Sequence, residues 1–561
     1  YKFVTATGAV VNVGWERPGH KITWRNLFNN RFTHTNIERE VWKESNIYTY
    51  QMEQYSTPQI NRLWQTQFSS EHQLPLGMTF SWMVDYSKII RDTPDDRLAV
   101  GYVMSDPYPT NGNYLINWSY PYYGQLATGF QMYSRLDENK KNIGGNLEYP
   151  FVVQGNKQKL KVGYLGTFRK ADFKREYLQT RKTSDESRLP YEEGAPLNEV
   201  YSPQLYAEGK LFLRKSGIFH DYYRGNQYLH AAYLMGDFTF WKRLHLTAGV
   251  RMEAGKMDGT SQYRDNKRQV DVDTTLVNKK TDWLPAVTAI YNFTDNFNLR
   301  AAYSKTLARP DFRELTITSY FNVEDRIIVN NRVGVKQAYT DNVDLRLEWY
   351  PQPGEVISFS GFYKRFKDPV ELLSLQSQQD MHYERYTFNL KRATALGMEL
   401  NLRKSFGFLA PGSFLKDLYL TANATMLKGD VKYNIWELIF AAAGLDMPKD
   451  ADFPEDRKRP LQGLVPYAVN AGLDYSGKIF GAALNYGTIG RKLMQAGTYE
   501  KDDEYEAPRH VLDLQLSARF LNGRMEVKAN ASDLLNQAYV VYRNLAPVSG
   551  EDLTDDMGYN K

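Results

Sequence analysis

The chain has 561 residues, 70 Lys and Arg against 65 Asp and Glu, no Cys, and 41 Tyr within an aromatic fraction of 14%. Its mean hydropathy is −0.57, and no run approaches the roughly 18–20 apolar residues of a spanning helix, which excludes a helical membrane protein. The charges are spread along the chain rather than gathered into a patch, so nucleic-acid binding is not indicated. The absence of Cys fits a compartment where thiols oxidise.

Nothing along the sequence reads as a domain boundary or flexible linker, so one large repeating architecture is the first expectation. The chain opens at Tyr1 without Met or a charged leader, and is expected to be a mature, truncated or partial segment.

In chain order, segments of about 10–14 residues alternate apolar and polar with the period of a strand. The first descends to Arg17-Pro18-Gly19-His20. Further short turns are read near Leu74 to Gly77, and at Gln154-Gly155-Asn156-Lys157, Trp241-Lys242-Arg243 and Thr294-Asp295-Asn296. The remaining ones are read at Pro351-Gln352-Pro353-Gly354, Gly407 to Lys416, Ser476-Gly477 and Asn522-Gly523.

Between the turns stand strands with one oily and one charged face. Leu244, Leu246, Ala248, Val250 and Met252 oppose His245, Thr247, Arg251 and Glu253. Val343, Leu345, Leu347 and Trp349 oppose Asn342, Asp344, Arg346 and Glu348, and Leu512 to Phe520 repeats the pattern.

A soluble sandwich would also alternate. The connectors decide against it, because long polar segments at 92–122, 179–226, 256–282, 308–337 and 429–462 alternate with the short turns. Short turns on one rim and long loops on the other is the pattern of an outer-membrane barrel. Aromatic residues recur beside the short turns, at Tyr149, Phe151, Phe238, Phe240, Tyr291, Phe293, Trp349, Tyr350, Phe480 and Phe520, where amphipathic rings meet lipid headgroups.

The expected fold is therefore all-β, a large antiparallel transmembrane β-barrel with about eighteen strands in this chain. Both ends are read as open, with further strands expected before Tyr1 and after Lys561 or from partners.

Several stretches resemble the TonB-dependent receptor family of outer-membrane transporters, in its long-strand branch. They are Ser304 to Leu315 with Arg309-Pro310 and Glu314-Leu315, the hairpin from Asn342 through Pro353-Gly354 to Glu371, and Asn389, Ala393, Gly397 and Glu399. Arg459-Pro460-Leu461-Gln462-Gly463 with Asn470 and Tyr475, and Asn530 to Tyr542, continue the order. Two departures stand out: residues 1–561 hold no plug domain or energy-coupling box, and Asn330-Asn331-Arg332-Val333 stands where the family often has Gly-Asn-Pro.

The resemblance implies a barrel of 22 strands around a plug, an incomplete barrel over 1–561, and a plug outside this chain. It also implies an outer-membrane location in a Gram-negative bacterium, contact with the lipid bilayer, and coupling to a TonB-type energy protein through the plug. The implied activity is import of a scarce nutrient, a chelated metal, oligosaccharide or peptide, by binding and gated release, with no bond broken and no cofactor. The alternative is a non-transporting barrel that serves as structural or assembly partner of surface lipoproteins in an envelope complex.

Candidate binding residues lie in loops. Tyr108, Tyr114, Trp118, Tyr120 and Tyr122 stand among Pro, Asn and Gly, where flat rings with polar tips suit sugars, peptides or aromatic chelators. A self-packed loop is the plain alternative. Trp436 opens an apolar stretch to Leu445 that precedes Asp446, Asp450, Asp452, Glu455 and Asp456. That stretch reads as a lid helix, a docking surface, a cation site, or simply a packed turn of helix.

Arg251, Arg346, Glu348, Glu399 and Arg403 read as lumen-wall residues that tune selectivity. The eight His fall apart in sequence without metal-ligand spacing, and only His220-Asp221 places a His beside an acid. No catalytic constellation emerges, so an enzyme is not expected.

Overall fold

The computed structural model describes residues 1–43, 49–103, 129–183, 202–215, 221–265, 270–322, 327–331, 334–376, 383–442, 445, 447–448 and 456–543. Tyr108, Tyr114, Trp118, Tyr120 and Tyr122 lie outside the described residues.

Eighteen wall strands follow one another among the described residues. The first nine are β1 (Lys2–Arg17), β2 (His20–Lys43), β3 (Thr49–Gln73), β4 (Thr79–Val103), β5 (Gly129–Val153), β6 (Asn156–Lys182), β7 (Tyr222–Phe240), β8 (Leu244–Asp265) and β9 (Val270–Thr294). The others are β10 (Phe297–Ala308), β11 (Ala338–Trp349), β12 (Val356–Lys367), β13 (Arg392–Ser405), β14 (Leu418–Tyr433), β15 (Tyr467–Ser476), β16 (Phe480–Ile489), β17 (Arg509–Phe520) and β18 (Met525–Ala531). Each pairs antiparallel with the next, from Lys2↔Thr35 at one end to Leu514↔Ala531 at the other. The nine short turns fall where the sequence places them.

Alternation assigns the faces. On β11, Val343, Leu345, Leu347 and Trp349 are exposed while Asn342 and Glu348 are buried on the other side. Near the short turns the rings gather on the apolar face: Tyr149 stacks on Phe151 at 5.9 Å, and Tyr291 meets Phe293 edge-on at 4.9 Å.

The wall departs from the sequence expectation in height. Much of the segments expected as long loops is strand: β4 runs to Val103, and β8 and β9 continue in register through Val270↔Asp265. Backbone pairing carries these ribbons beyond the apolar band, where apolar residues such as Leu98, Phe130 and Met132 turn to the inner face beneath a loop, so the band's oily-out, polar-in pattern no longer holds. β6 has 27 residues and β15 has 10.

In β4 a bulge at Thr93-Pro94-Asp95-Asp96 shifts the register against both neighbours. Proline cannot donate to the ladder and is tolerated where the ladder is broken. One extra residue reverses the facing beyond it, which turns Asp96 and Leu98 to the polar side, where both are buried.

The loops build structure of their own. Thr318–Asn322, Ile327–Asn331, Tyr383–Asn389 and Val370–Gln376 form a four-stranded sheet, and Lys492–Gln495, Glu504–Glu506 and Val541–Arg543 a three-stranded one.

Candidate functional site

The polar face of the wall carries charges that are already paired. On β8, Arg251 Nε donates to Glu253 at 2.6 Å, and Glu253 also receives Arg309 at 2.7 Å. On β11, Arg346 Nε reaches Glu348 at 2.7 Å, Arg300 of β10 approaches the same carboxylate at 3.5 Å, and Arg346 donates to Ser360 at 3.2 Å.

Beside this group lies a recess of about 270 Å3, bordered by Arg300, Asp344, Arg346, Lys364 and Glu399. Both signs of charge meet there, which suits a polar or zwitterionic surface. Arg403 sits lower: it donates to the carbonyl of Gly354 at 3.1 Å and lies over the Tyr419 ring at 4.8 Å, tying β13 to a short turn. Of the five expected wall residues, three gather at β11 to β13 and two stand apart.

The segment Arg309 to Gln337 folds onto the polar face. Asp311 caps a turn of helix (Phe312–Leu315), with Glu314 completing the capping box. Asp311 pairs with Arg169 at 2.9 Å, and Arg169 is itself held by both oxygens of Glu138 at 2.7 Å. Phe312 is fully buried, and its ring occupies the space that a Cβ at Gly225 would need. Arg313 binds the buried Asp221 carboxylate at 3.0 and 3.3 Å, and Gln337 and Tyr339 reach Asp282 at 2.7 and 2.6 Å.

Farther along, Phe321 packs with Tyr55, Leu98, Phe130, Met132 and Tyr177 from β3 to β6. One loop thus spans from β10 to the upper ends of the tallest strands.

Those upper ends stand clear of the membrane. Asp96 is 17 residues beyond Thr79 (96 − 79) at the foot of β4, roughly 40 Å up a tilted strand, against an apolar band about 25 Å tall. Burial pushes the Asp96 carboxyl up to about 6, while Arg175 and hydrogen bonds from Tyr55 and Thr57 pull the other way. Burial likewise pushes the Tyr177 phenol up to about 12.

Three further loops build a second cluster. Leu373, Leu375, Tyr386, Phe388 and Leu390 pack with Val431, Tyr433, Ile435, Ala442, Leu493 and Tyr505. The helix Ile435–Ala442 starts on Asn434, whose side chain accepts from the amides of Trp436 and Glu437 at 2.9 and 3.3 Å. Trp436, in the first turn of that helix, packs against the cluster. Asp456 pairs with Lys432 at 3.4 Å, and Asp446, Asp450, Asp452 and Glu455 lie outside the described residues. Among the described residues no group of three His, Asp or Glu is placed to hold a metal.

His220 lies outside the described residues, and Asp221 is held by Arg313 and, at 3.6 Å, by Arg175. Sequence reasoning missed Arg169, Arg175 and Glu138, whose partners lie far along the chain; the capping signature Asp311-x-x-Glu314 was the one local signal.

A family model described as "TonB dependent receptor-like, beta-barrel" matches residues 14–534. The chain belongs to that family. Among solved structures it is similar to the FpvAI–pyocin S2 complex, at 11% identity over 96% of this chain and 66% of that chain, with a TM-score of 0.54. It is similar too to the pyoverdine outer membrane receptor FpvA from Pseudomonas aeruginosa PAO1 bound to pyoverdine, at 11% identity, 95% and 75% coverage and a TM-score of 0.52. The siderophore receptor PirA from Acinetobacter baumannii follows at 11% identity, 95% and 74% coverage and a TM-score of 0.50.

The chain therefore spans about two-thirds to three-quarters of the length of those structures. At such identities the likeness is one of fold. No curated protein matches the chain. As in other TonB-dependent receptor barrels, the apolar face meets outer-membrane lipid and the polar face turns inward.

Proposed function

We propose that this chain is the barrel of a receptor that takes up a scarce nutrient across the outer membrane, with binding at the extracellular loops and release inward when an energy-coupling protein of TonB type acts on a plug. The observation that carries the reading is the inward-folded loop layer on a polar wall, in a chain whose family match covers 14–534. Such a layer narrows the mouth with side chains from several loops, which is what recognition by many weak polar and aromatic contacts requires.

Under this reading Arg251, Arg346, Glu348, Glu399 and Arg403 line the lumen. The recess at β11 to β13 would offer both charge signs to whatever fills that space, plug or cargo. Tyr108, Tyr114, Trp118, Tyr120 and Tyr122 supply the aromatic contacts. The cargo is a chelated metal, an oligosaccharide or a peptide. The scaffold alternative, with surface lipoproteins as partners, draws no support from the wall or the comparisons.

Uptake of labelled representatives of the three classes, measured in cells with and without the gene and with and without a protonophore, tests the reading. Loss of energy-dependent uptake of one class on deletion is expected. Unchanged uptake of all three would overturn transport.

A further inference from the structure

Three of the short turns put bulky apolar residues where the backbone disfavours them. Leu76, Trp241 and Leu521 have φ of 62°, 49° and 53°, a left-handed conformation that costs a residue with a side chain about 1–2 kcal/mol. Tips of this kind favour Asn, Asp and Gly. At the corresponding tip of another short turn the polar Gln154 has φ of 49°, and Gly19, Gly155 and Gly354 take φ of 80°, 77° and 86° elsewhere on the rim.

The three side chains are not used for packing either. Leu76 and Trp241 are 78% exposed and Leu521 is 71% exposed. Neither turn chemistry nor core burial accounts for them, so their use must lie outside the chain.

Their surroundings say what they meet. The Trp241 ring lies 6.0 Å from Phe240, which lies 6.3 Å from Phe238, and both Phe residues share the lipid-facing side of β7 with Leu234. Leu521 follows exposed Phe520, and exposed Ile479 precedes exposed Phe480 on the next turn. Cations stand beside these tips: Lys242 and Arg243 after Trp241, Lys478 before Ile479, and Arg524 after Leu521. The lipid-facing surface thus continues past the strand ends and finishes in positive charge.

We propose that this rim is seated in the membrane, with Leu76, Trp241 and Leu521 inserted at the boundary between acyl chains and headgroups of the inner leaflet and Lys242, Arg243 and Arg524 on anionic lipid phosphates. The turns then act as anchors that fix how deep the barrel sits. Interfacial rings and snorkelling cations favour this placement. It depends on the outer-membrane barrel alone and stands whether or not the protein transports.

The sequence has no Cys, so single labels are simple to place. Leu76→Cys, Trp241→Cys and Leu521→Cys, with Asp295→Cys on another short turn as the reference, are labelled with bimane in the full-length protein and reconstituted. The vesicles contain phosphatidylcholine and phosphatidylglycerol, with or without brominated acyl chains. Heat-modifiable gel mobility confirms folding, and if Trp241→Cys fails to fold, the two Leu sites decide.

The expected result is that brominated lipid quenches the three tips at least about twofold more than position 295, with iodide quenching in the opposite order. Replacing Lys242 and Arg243 by Gln should reduce the dependence of the Leu521 and Leu76 labels on phosphatidylglycerol little and that of a label at 241 strongly. Equal iodide quenching at tips and reference would put the tips in water and overturn the proposal. Protection from both quenchers would show that protein covers them, and would overturn it too.

Discussion

The guanidinium of Arg313 meets the carboxylate of Asp221 at 3.0 and 3.3 Å across 92 residues of sequence, with its Cζ 4.4 Å from the ring centres of both Phe173 and Tyr320. Asp221 is 1% exposed, so removal of its main partner leaves a buried charge with Arg175 alone. Arg313→Ala should cost about 3 kcal/mol, the lower end for a broken buried pair. Hydrogen exchange in residues 309–322 should accelerate by roughly 100-fold. Arg313→Lys keeps the charge but loses the planar stack and the fork, and should recover only part; full recovery would show that charge alone holds the loop.

Gly225 tests the same anchor from the wall side. A Cβ at that position overlaps the Phe312 ring, and the cost of such overpacking is about 1–3 kcal/mol. Gly225→Ala should raise protease cleavage within 309–337, whereas Gly225→Ala with Phe312→Leu should return part of the protection. Unchanged cleavage in the single variant would mean that the ring moves aside freely.

Arg459 and Glu371 form the matching lock in the second loop cluster, at 2.5 Å, with Tyr433 Oη 3.1 Å from Arg459 Nε. Arg459→Met alone should destabilise the packing of 370–389 by about 3–5 kcal/mol, because Glu371 is left buried without its cation. Arg459→Met with Glu371→Leu should lie much closer to the parent. The check is hydrogen exchange across 370–389, and equal losses in single and double variants would contradict the account.

Asp96 gives the upper wall a dependence on pH. Its carboxyl is raised from 3.8 to about 6 by burial, so the folded state holds the proton more tightly than the unfolded chain. The stability it contributes is fully present below about 3.8 and is lost as pH rises through about 6. Protection of the amides near Asp96 and Tyr55 should therefore fall between about pH 4 and 6 in the parent and level off above that, and Asp96→Asn should flatten the fall. A parallel fall in both proteins would assign it elsewhere.

The wall was legible because a strand half in lipid writes its period into the sequence: Leu244 to Met252 and Val343 to Trp349 each display it, and the turns between strands are marked by Pro, Gly and Asn. The height of the wall was not, because above the band β4 and β9 turn apolar residues such as Leu98 and Leu276 inward beneath the loops, which reverses the pattern that marks a lipid-facing strand. Nor was the facing of Asp96, which a single bulge beside Pro94 reverses.

The family motifs were visible, and their structural use is now plain. Asn389 donates to the carbonyls of Lys336 and Asp368 at 2.9 Å, Gly397 leaves room for the Phe362 ring, and Arg459 holds Glu371. What these loops touch depends on partners about 50 to 150 residues away (389 − 336; 321 − 177), which no local pattern records. Trp436 was singled out with its apolar neighbours, and in the structure it packs beside Leu438 and Ile439 against the second loop cluster.

The unequal strands give the extracellular side a direction. A strand of 25 residues such as β5, tilted in the wall, rises roughly 58 Å, whereas one of 10 such as β16 rises roughly 23 Å and ends near the edge of the lipid band. Loops rooted on the low side lean across onto the high side. A bulky particle travelling along the cell surface, a phage tail or an antibody, meets the tall hydrogen-bonded ribbons from one bearing and the side chains of the loop rooted at β10 from the other. Its access to the mouth is decided by its angle of arrival as much as by its affinity.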